Sequence, residues 1–212
     1  MNSADRRYLM GLIREGEHQQ QDFKYRVEDA VKLAHSVSAF ANTDGGRLLI
    51  GVRDDGFLKG VRSEEEIYVM HQAAFRYCRP QASIKFDTYS VDGRTIVVAT
   101  VPRSDRRPVC ALDEGGRQRA YIRIADENIV ASPVHLSIWR QEQQATGQSF
   151  TYGDDERRLI TAMQGAGWQP LGAIVKQTRQ PRHRVVTLLA RLCRYGLAQW
   201  QMSDHTFVFA LT

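Results

Sequence analysis

The sequence of 212 residues predicts an α+β fold, and three observations carry that prediction. Several segments place apolar residues at helical spacing, which is typical of amphipathic helices. Other segments alternate apolar and polar residues and are joined by short glycine-containing turns, which indicates β-hairpins. Helices and strands do not alternate one by one, so a parallel doubly wound sheet is not expected.

The first two thirds of the chain supply most of the sheet. Helices are predicted over 5–14, 27–41 and 63–79, and strands over 47–53, 57–61, 83–90, 94–101, 109–112 and 118–124. Ser63 and Glu66 have the spacing of a capping box at the start of the third helix, and Pro80 ends it. The Asp55-Gly56 turn predicts the first hairpin.

The last part of the chain predicts a separate small module. A helix is expected to begin at Ser132-Pro133, and the polar segment 141–153 is the best candidate for a linker. Domains are therefore expected at 1–140 and 154–212. Helices are predicted over 154–165, 171–179 and 182–195, and strands over 197–202 and 206–211. This order of three helices and a two-stranded ribbon resembles a winged helix-turn-helix.

Composition indicates a globular protein with a polyanionic partner. No apolar run approaches the roughly 18 residues that cross a bilayer, so we expect no membrane partner and a cytoplasmic protein. The three cysteines lack metal-ligand spacing and are expected to be reduced thiols. Net charge is +5, of which residues 154–212 carry +4 and residues 1–153 carry +1. A basic terminal module favours a nucleic-acid partner.

Chemistry-bearing side chains concentrate in residues 15–62. Glu17 and Asp22 stand five residues apart, and Lys24 follows closely. Asp54 comes after the apolar run 48–52. Carboxylates from these two places could meet beside a glycine turn and several cations. This combination suits a phosphate or metal site, and it also suits a nucleic-acid-binding surface.

These residues resemble the Schlafen-type AlbA-2 domain family. The family pattern is present as an acid at Glu17, then Asp22-Phe23-Lys24, A-F-A-N-T-x-G-G over 39–46 and L-I-G-V-x-D-D-G over 49–56. Further matches lie at Gly60-Val61, Arg107-Pro108, Tyr121-Ile122-Arg123 and 128–132. The resemblance covers roughly residues 12–135, and it implies a mixed sheet with flanking helices.

The resemblance also implies a possible activity. Some members are RNA endonucleases with three carboxylates, which correspond here to Glu17, Asp22 and Asp54, with Asp55 as the neighbour that could replace Asp54. Such a cluster would hold Mg²⁺ or Mn²⁺ and activate water, and Lys24 would stabilise the transition state. Asp22 stands where the family usually has Glu. Other bacterial relatives bind DNA or regulate, and the same carboxylates would then be structural or surface groups.

Nucleotide binding is not predicted. The turn 42–46 lacks the Walker A pattern, and no lysine follows its glycines. We interpret it as a structural turn. ATP is not expected, and no cofactor is expected outside the nuclease hypothesis.

Two groups of residues are candidates for nucleic-acid contact. Arg117, Arg119 and Tyr121 lie on one hairpin, where arginines would contact phosphates and the ring would stack on a base. The alternative is a solvated hairpin face, with Tyr121 in the core and Arg123 paired to an acid. In the C-terminal module the candidates surround the start of its third helix. They are Arg179, Arg182, Arg184 and Thr187.

Three functions remain open at this point. The first, which we favour, is a nucleic-acid-binding protein, with DNA as the preferred partner and RNA as a second possibility. It would act as a transcriptional regulator and homodimer. The second is the metal-dependent endoribonuclease. The third is a protein-interaction module whose winged helix docks partners.

Overall fold

The protein forms two compact units, Met1–Val130 and Ala131–Thr212. The computed structural model describes residues 3–61, 64–113, 115–144 and 152–212. The first unit contains α1 (Ser3–Glu15), β1 (Gln21–Lys24), α2 (Ala30–Asn42), β2 (Gly46–Ile50), α3 (Glu64–Phe75), β3 (Cys78–Arg79), β4 (Lys85–Val91), β5 (Arg94–Val101), β6 (Cys110–Leu112), β7 (Gln118–Ile124) and β8 (Glu127–Val130). The second contains α4 (Pro133–Gln144), α5 (Asp154–Met163), β9 (Gln169–Pro170), α6 (Leu171–Thr178), α7 (Arg182–Arg194), β10 (Ala198–Ser203) and β11 (Thr206–Leu211).

The first unit holds two four-stranded sheets. One has the order β1-β2-β5-β4, with β1 parallel to β2 and the other pairs antiparallel. The other has the order β3-β6-β7-β8 and is antiparallel throughout. Helices and hairpins in this arrangement confirm the predicted α+β class with a mixed sheet.

Strand β2 separates the two cores of this unit, because successive side chains of a strand point to opposite faces. Leu48 and Ile50 pack with Val37 and Phe40 of α2. Leu49 points the other way, into a cluster with Leu9 of α1. The continuous apolar run 48–52 therefore reflects a strand that is covered on both faces.

Helix α2 is fixed at its start by a cap and at its end by a buried amide. The Asp29 carboxylate accepts hydrogen bonds from the N–H groups of Val31 and Lys32, as an N-cap residue does. At the other end, Asn42 Nδ2 donates to Val109 O at 2.8 Å and to Tyr121 O at 2.9 Å. Val109 N donates back to Asn42 Oδ1 at 2.7 Å. One side chain thus joins α2 to β7 and to the segment that enters β6.

The second unit is built around a core to which all four of its helices contribute. Val134, Leu159, Ile174 and Leu188 pack together with Phe209 of β11. Its three-stranded antiparallel sheet has the order β10-β11-β9. Strand β9 lies between α5 and α6 in the sequence and pairs with the far strand of the terminal hairpin.

The domain boundary differs from the predicted one, because α4 belongs to the second unit. Val134 lies in the core of that unit, and Gln141 Nε2 donates to Thr187 O on α7 at 2.9 Å. The helix also continues to Gln144, into the predicted linker 141–153. The rest of that prediction, residues 145–151, lies outside the described residues.

Several strands also differ from the sequence prediction. The strand predicted over 47–53 ends at Ile50, because Gly51 turns the chain with φ of +89°. The return strand at 57–61 is reduced to an isolated bridge between Val52 and Leu58. The capping residue Ser63 lies outside the described residues. No helix among the described residues combines the length and the apolar character needed to cross a membrane.

Replacing Asn42 with alanine should destabilise the protein by about 2–3 kcal/mol, because buried polar groups at Val109 and Tyr121 would lose their partners. The measurement is the free energy of unfolding in urea. Gln118→Ala is the matched control, since it removes an exposed amide and should change stability by no more than about 0.5 kcal/mol. Equal stability of the two variants would contradict the structural role of Asn42.

Candidate functional site

The acidic element of the first unit forms one cluster at strand β1. Asp22 lies on that strand with 4% of its surface exposed, and Lys24 Nζ lies 2.7 Å from Asp22 Oδ2. Glu17 approaches from the preceding loop, and its Oε1 accepts a hydrogen bond from Phe23 N at 2.8 Å. The structure therefore brings Glu17, Asp22 and Lys24 together at β1.

Asp22 also faces a buried guanidinium. Arg123 of β7 is 2% exposed, and its Nη2 lies 3.6 Å from Asp22 Oδ1. The same nitrogen donates to Gln21 O at 3.3 Å, and Nη1 donates to Asn128 Oδ1 at 3.0 Å. The guanidinium carbon lies 5.2 Å from the ring centroid of Phe40. Arg123 is thus paired to an acid, which was the structural alternative for this residue.

The surroundings of Glu17 change its pKa. Burial, and then a hydrogen bond with Asp22, raise the pKa of Glu17 above its ordinary value of 4.5. The Phe23 N–H and the nearby Lys24 act in the opposite direction and offset part of this rise. Burial and the nearby Asp22 carboxylate therefore favour the protonated form of Glu17.

The third predicted carboxylate is part of a different arrangement. Asp54 lines a surface cavity of about 530 Å³ together with Tyr25, Arg53 and Asp55. Asp55 is engaged there, since its Oδ2 lies 2.8 Å from Arg53 Nη2. Over the described ranges, no three His, Cys, Asp or Glu side chains are placed to hold one metal ion. Among the described residues, Glu17, Asp22 and Asp54 are thus not brought together as one set of ligands.

The glutamines between the two acids have roles that the sequence analysis missed. Gln21 is fully buried, and its Nε2 donates to Leu12 O and Gly16 O at 2.6 and 2.7 Å. Its Oε1 accepts from Arg47 Nε at 2.6 Å. Gln19 binds the backbone of the β7–β8 turn, donating to Arg123 O. The run of three glutamines between Glu17 and Asp22 was the available signal in the sequence.

The glycine turn after α2 is a structural device. Gly45 has φ of +72°, and its N–H donates to Phe40 O at 2.9 Å. A Cβ on Gly46 would lie 2.3 Å from the Phe40 ring. Thr43 Oγ1 accepts from Arg123 N at 2.9 Å. The turn thus closes α2 and holds β7, in agreement with its interpretation as a structural turn.

The hairpin of β6 and β7 carries the arginines and the tyrosine that were predicted to contact nucleic acid. Arg119 Nε lies 2.7 Å and Arg117 Nε 3.3 Å from Asp113 Oδ2. The backbone N–H of Arg117, and then the side chain of Arg119, lower the pKa of Asp113. Tyr121 is 7% exposed and stacks on His35 with ring centroids 4.3 Å apart. Stacking of Tyr121 on a base is therefore wrong for this structure, because both faces of the strand are covered.

The four residues of the second unit that were predicted to contact nucleic acid differ in whether they have partners within the unit. Arg184 lies 2.7 Å from Asp155 Oδ2, and Thr187 donates its hydroxyl to His183 O beside α4. These two residues are engaged within the unit. Arg179 and Arg182 are exposed and make no ion pair with any described residue. Contact with nucleic acid therefore stays a prediction for all four residues. Arg179 and Arg182 are free to make it, whereas Arg184 and Thr187 already have partners within the unit.

Comparison with known proteins identifies one family and two solved structures of low sequence identity. The family described as Schlafen, AlbA_2 matches residues 17–132, more than half of the chain. The DIP2311 protein of Corynebacterium diphtheriae is 19% identical over 77% of this chain, with a TM-score of 0.46, and this chain spans 35% of its length. The N-terminal domain of an ATP-dependent DNA helicase RecG-related protein from Nitrosomonas europaea is 22% identical over 69% of this chain and 95% of its own, with a TM-score of 0.40. No curated protein matches the chain.

Replacing Glu17 with glutamine should stabilise the protein at neutral pH. The folded-state pKa of Glu17 is raised, so its contribution to stability is full below 4.5 and is lost as pH rises through the folded-state pKa. The amide keeps an acceptor for Phe23 N and adds a donor for Asp22. The variant should therefore melt like the wild type in acid and above it at pH 7.

The measurement is the melting temperature between about pH 4 and pH 8. Glu28→Gln is the control, because Glu28 is exposed and pairs with Arg26 at the surface. A variant at Glu17 that loses stability at pH 7 while the control does not would contradict the raised pKa.

Proposed function

The chain belongs to the Schlafen AlbA_2 family, and from this premise we propose that it is a DNA-binding transcriptional regulator. Family membership supports a nucleic-acid-related function. The second unit supplies the DNA-binding surface in this proposal, and the AlbA-2 unit acts as the body that carries it.

The observation that carries the proposal is the order of elements in the second unit. Helix α5 is followed by β9, the helix pair α6–α7 and the hairpin β10–β11, and β9 pairs antiparallel with β11. This order supports a winged helix-turn-helix, in which the second helix of the pair reads DNA. The turn between α6 and α7 is held by Gln180, whose Nε2 donates to Asp155 Oδ1 at 3.1 Å.

Charge distribution supports the same surface. Residues 131–212 carry nine Lys and Arg against five Asp and Glu, a net +4. Arg184 and Arg191 pair with acids of α5. Lys176, Arg179 and Arg182 surround the α6–α7 turn and have no acidic partner within the described residues. Cations of this kind bind phosphates and displace counterions from duplex DNA.

A homodimer belongs to the proposal as well. Tyr68, His71 and Phe75 form an exposed aromatic stripe on α3, on which Tyr68 is 62% exposed. Exposed aromatic stripes are typical of protein interfaces. A second copy seated on this stripe would give the two-fold symmetry that suits a palindromic DNA site.

Replacing both Arg179 and Arg182 with alanine should weaken duplex binding and flatten its salt dependence. Loss of two phosphate contacts should reduce the slope of log affinity against log salt by about two. The measurement is the fluorescence anisotropy of a labelled duplex over a salt series. Replacing both Arg26 and Lys85 with alanine is the charge-matched control, since both residues are exposed in the first unit and pair with Glu28 and Asp87.

The outcomes separate the three functions. Equal slopes for the double variant and the control would contradict DNA binding at this surface. No binding of any nucleic acid at low salt would leave a protein-interaction module. Parallel samples with RNA and Mn²⁺ on a denaturing gel test the nuclease, whose cleavage would have to vanish in Glu17→Ala and Asp22→Ala.

A further inference from the structure

A groove of about 540 Å³ lies between α4 and the N-terminal half of α7. Pro133, Leu136 and Val186 supply apolar surface to its lining, and Arg140, Arg182 and His183 supply nitrogen donors. None of the described residues that line it is acidic. The groove therefore combines an apolar lining with positive charge, within the size range of small-molecule sites.

The two arginines of the groove are available to a ligand. Arg140 is exposed on α4, Arg182 is exposed at the start of α7, and neither makes an ion pair with a described residue. Arg184 and Arg191 of the same unit differ in this respect, because they pair with Asp155 and Glu156. Two guanidinium groups on facing helices are suited to a carboxylate or sulfonate.

We propose that this groove binds a small organic anion with an aromatic or branched aliphatic body. The body would contact Leu136 and Val186, and the acidic group would lie near Arg140 and Arg182. A phosphate of the DNA backbone fits the cations but leaves the apolar lining uncovered. The combined lining thus favours a small amphipathic anion over a nucleic acid as the occupant.

Binding of the anion in this groove would affect DNA binding, an inference that rests on the proposed function. Helix α4 is held against α7 by the hydrogen bond from Gln141 to Thr187 O, and His135 of α4 packs against Trp200 and Phe207 of the terminal hairpin. Arg182 serves both the groove and the DNA surface. Anion and duplex therefore compete, and each lowers the affinity of the other by the same factor.

The test uses two fluorescent probes that differ in one charged group. 8-Anilinonaphthalene-1-sulfonate carries a sulfonate on an aromatic body, and N-phenyl-1-naphthylamine has the same rings without it. The sulfonate should bind the full chain, without DNA, about tenfold or more tightly than the neutral probe. Benzoate should displace it, and inorganic phosphate should not.

Variants locate the binding. Arg140→Gln and Leu136→Glu should each weaken sulfonate binding about tenfold, whereas Leu136→Gln should weaken it less than Leu136→Glu. Arg157→Gln is the control, because Arg157 is exposed on α5 and pairs with Asp154. Unchanged binding by both Arg140→Gln and Leu136→Glu would overturn the site. Equal affinity for the neutral probe, or displacement by phosphate but not by benzoate, would overturn the ligand class.

The effect of the anion on DNA binding is measured in a separate experiment. Benzoate should lower duplex affinity in the wild type and not in Arg140→Gln. Probe binding in a protein that fails to bind DNA would leave the anion site standing while the proposed function fails. DNA binding without any saturable probe binding would overturn the anion site alone.

Discussion

The first unit depends on a buried ion pair between Arg123 and Asp22. A guanidinium with 2% exposure is costly unless charge and hydrogen bonds compensate it. Asp22 supplies the charge, Asn128 and the Gln21 carbonyl accept hydrogen bonds, and Phe40 covers one face. These partners come from β1, α2 and β8, so the ion pair links both sheets of the unit to α2.

The two units differ in how their charged side chains are paired. In the first unit, the acidic element lies beside Arg123 and Lys24, and the glutamines around it bind backbone groups of neighbouring elements. In the second unit, the cations at the α6–α7 turn have no described acidic partner. Net positive charge is likewise higher in the second unit, at +4 for residues 131–212 against +1 for residues 1–130.

The sequence predicts the fold class because helical and alternating patterns are local. It misses β1, β3, β8 and β9, which have two to four residues each. Strands β1, β3 and β9 pair with strands that are distant in the sequence, and β8 is too short to show a pattern of its own beside β7. Glu17, Asp22 and Lys24 could be named as candidates because they stand close together in the chain. The pairing of Asp22 with Arg123, far along the chain, and the contact of Thr187 with α4 depend on tertiary packing, which no local pattern contains.

The central claim is that Asp22 serves the fold through Arg123, and unfolding of Asp22→Asn in urea tests it most directly. We predict a loss of about 3–5 kcal/mol, because the variant leaves a buried guanidinium without its counter-charge. Asp87→Asn, which breaks an exposed pair with Lys85, should lose less than about 1 kcal/mol. Addition of Mn²⁺ should stabilise neither protein. Full stability of Asp22→Asn, together with Mn²⁺ stabilisation of the wild type that the variant lacks, would contradict the account and make Asp22 a metal ligand.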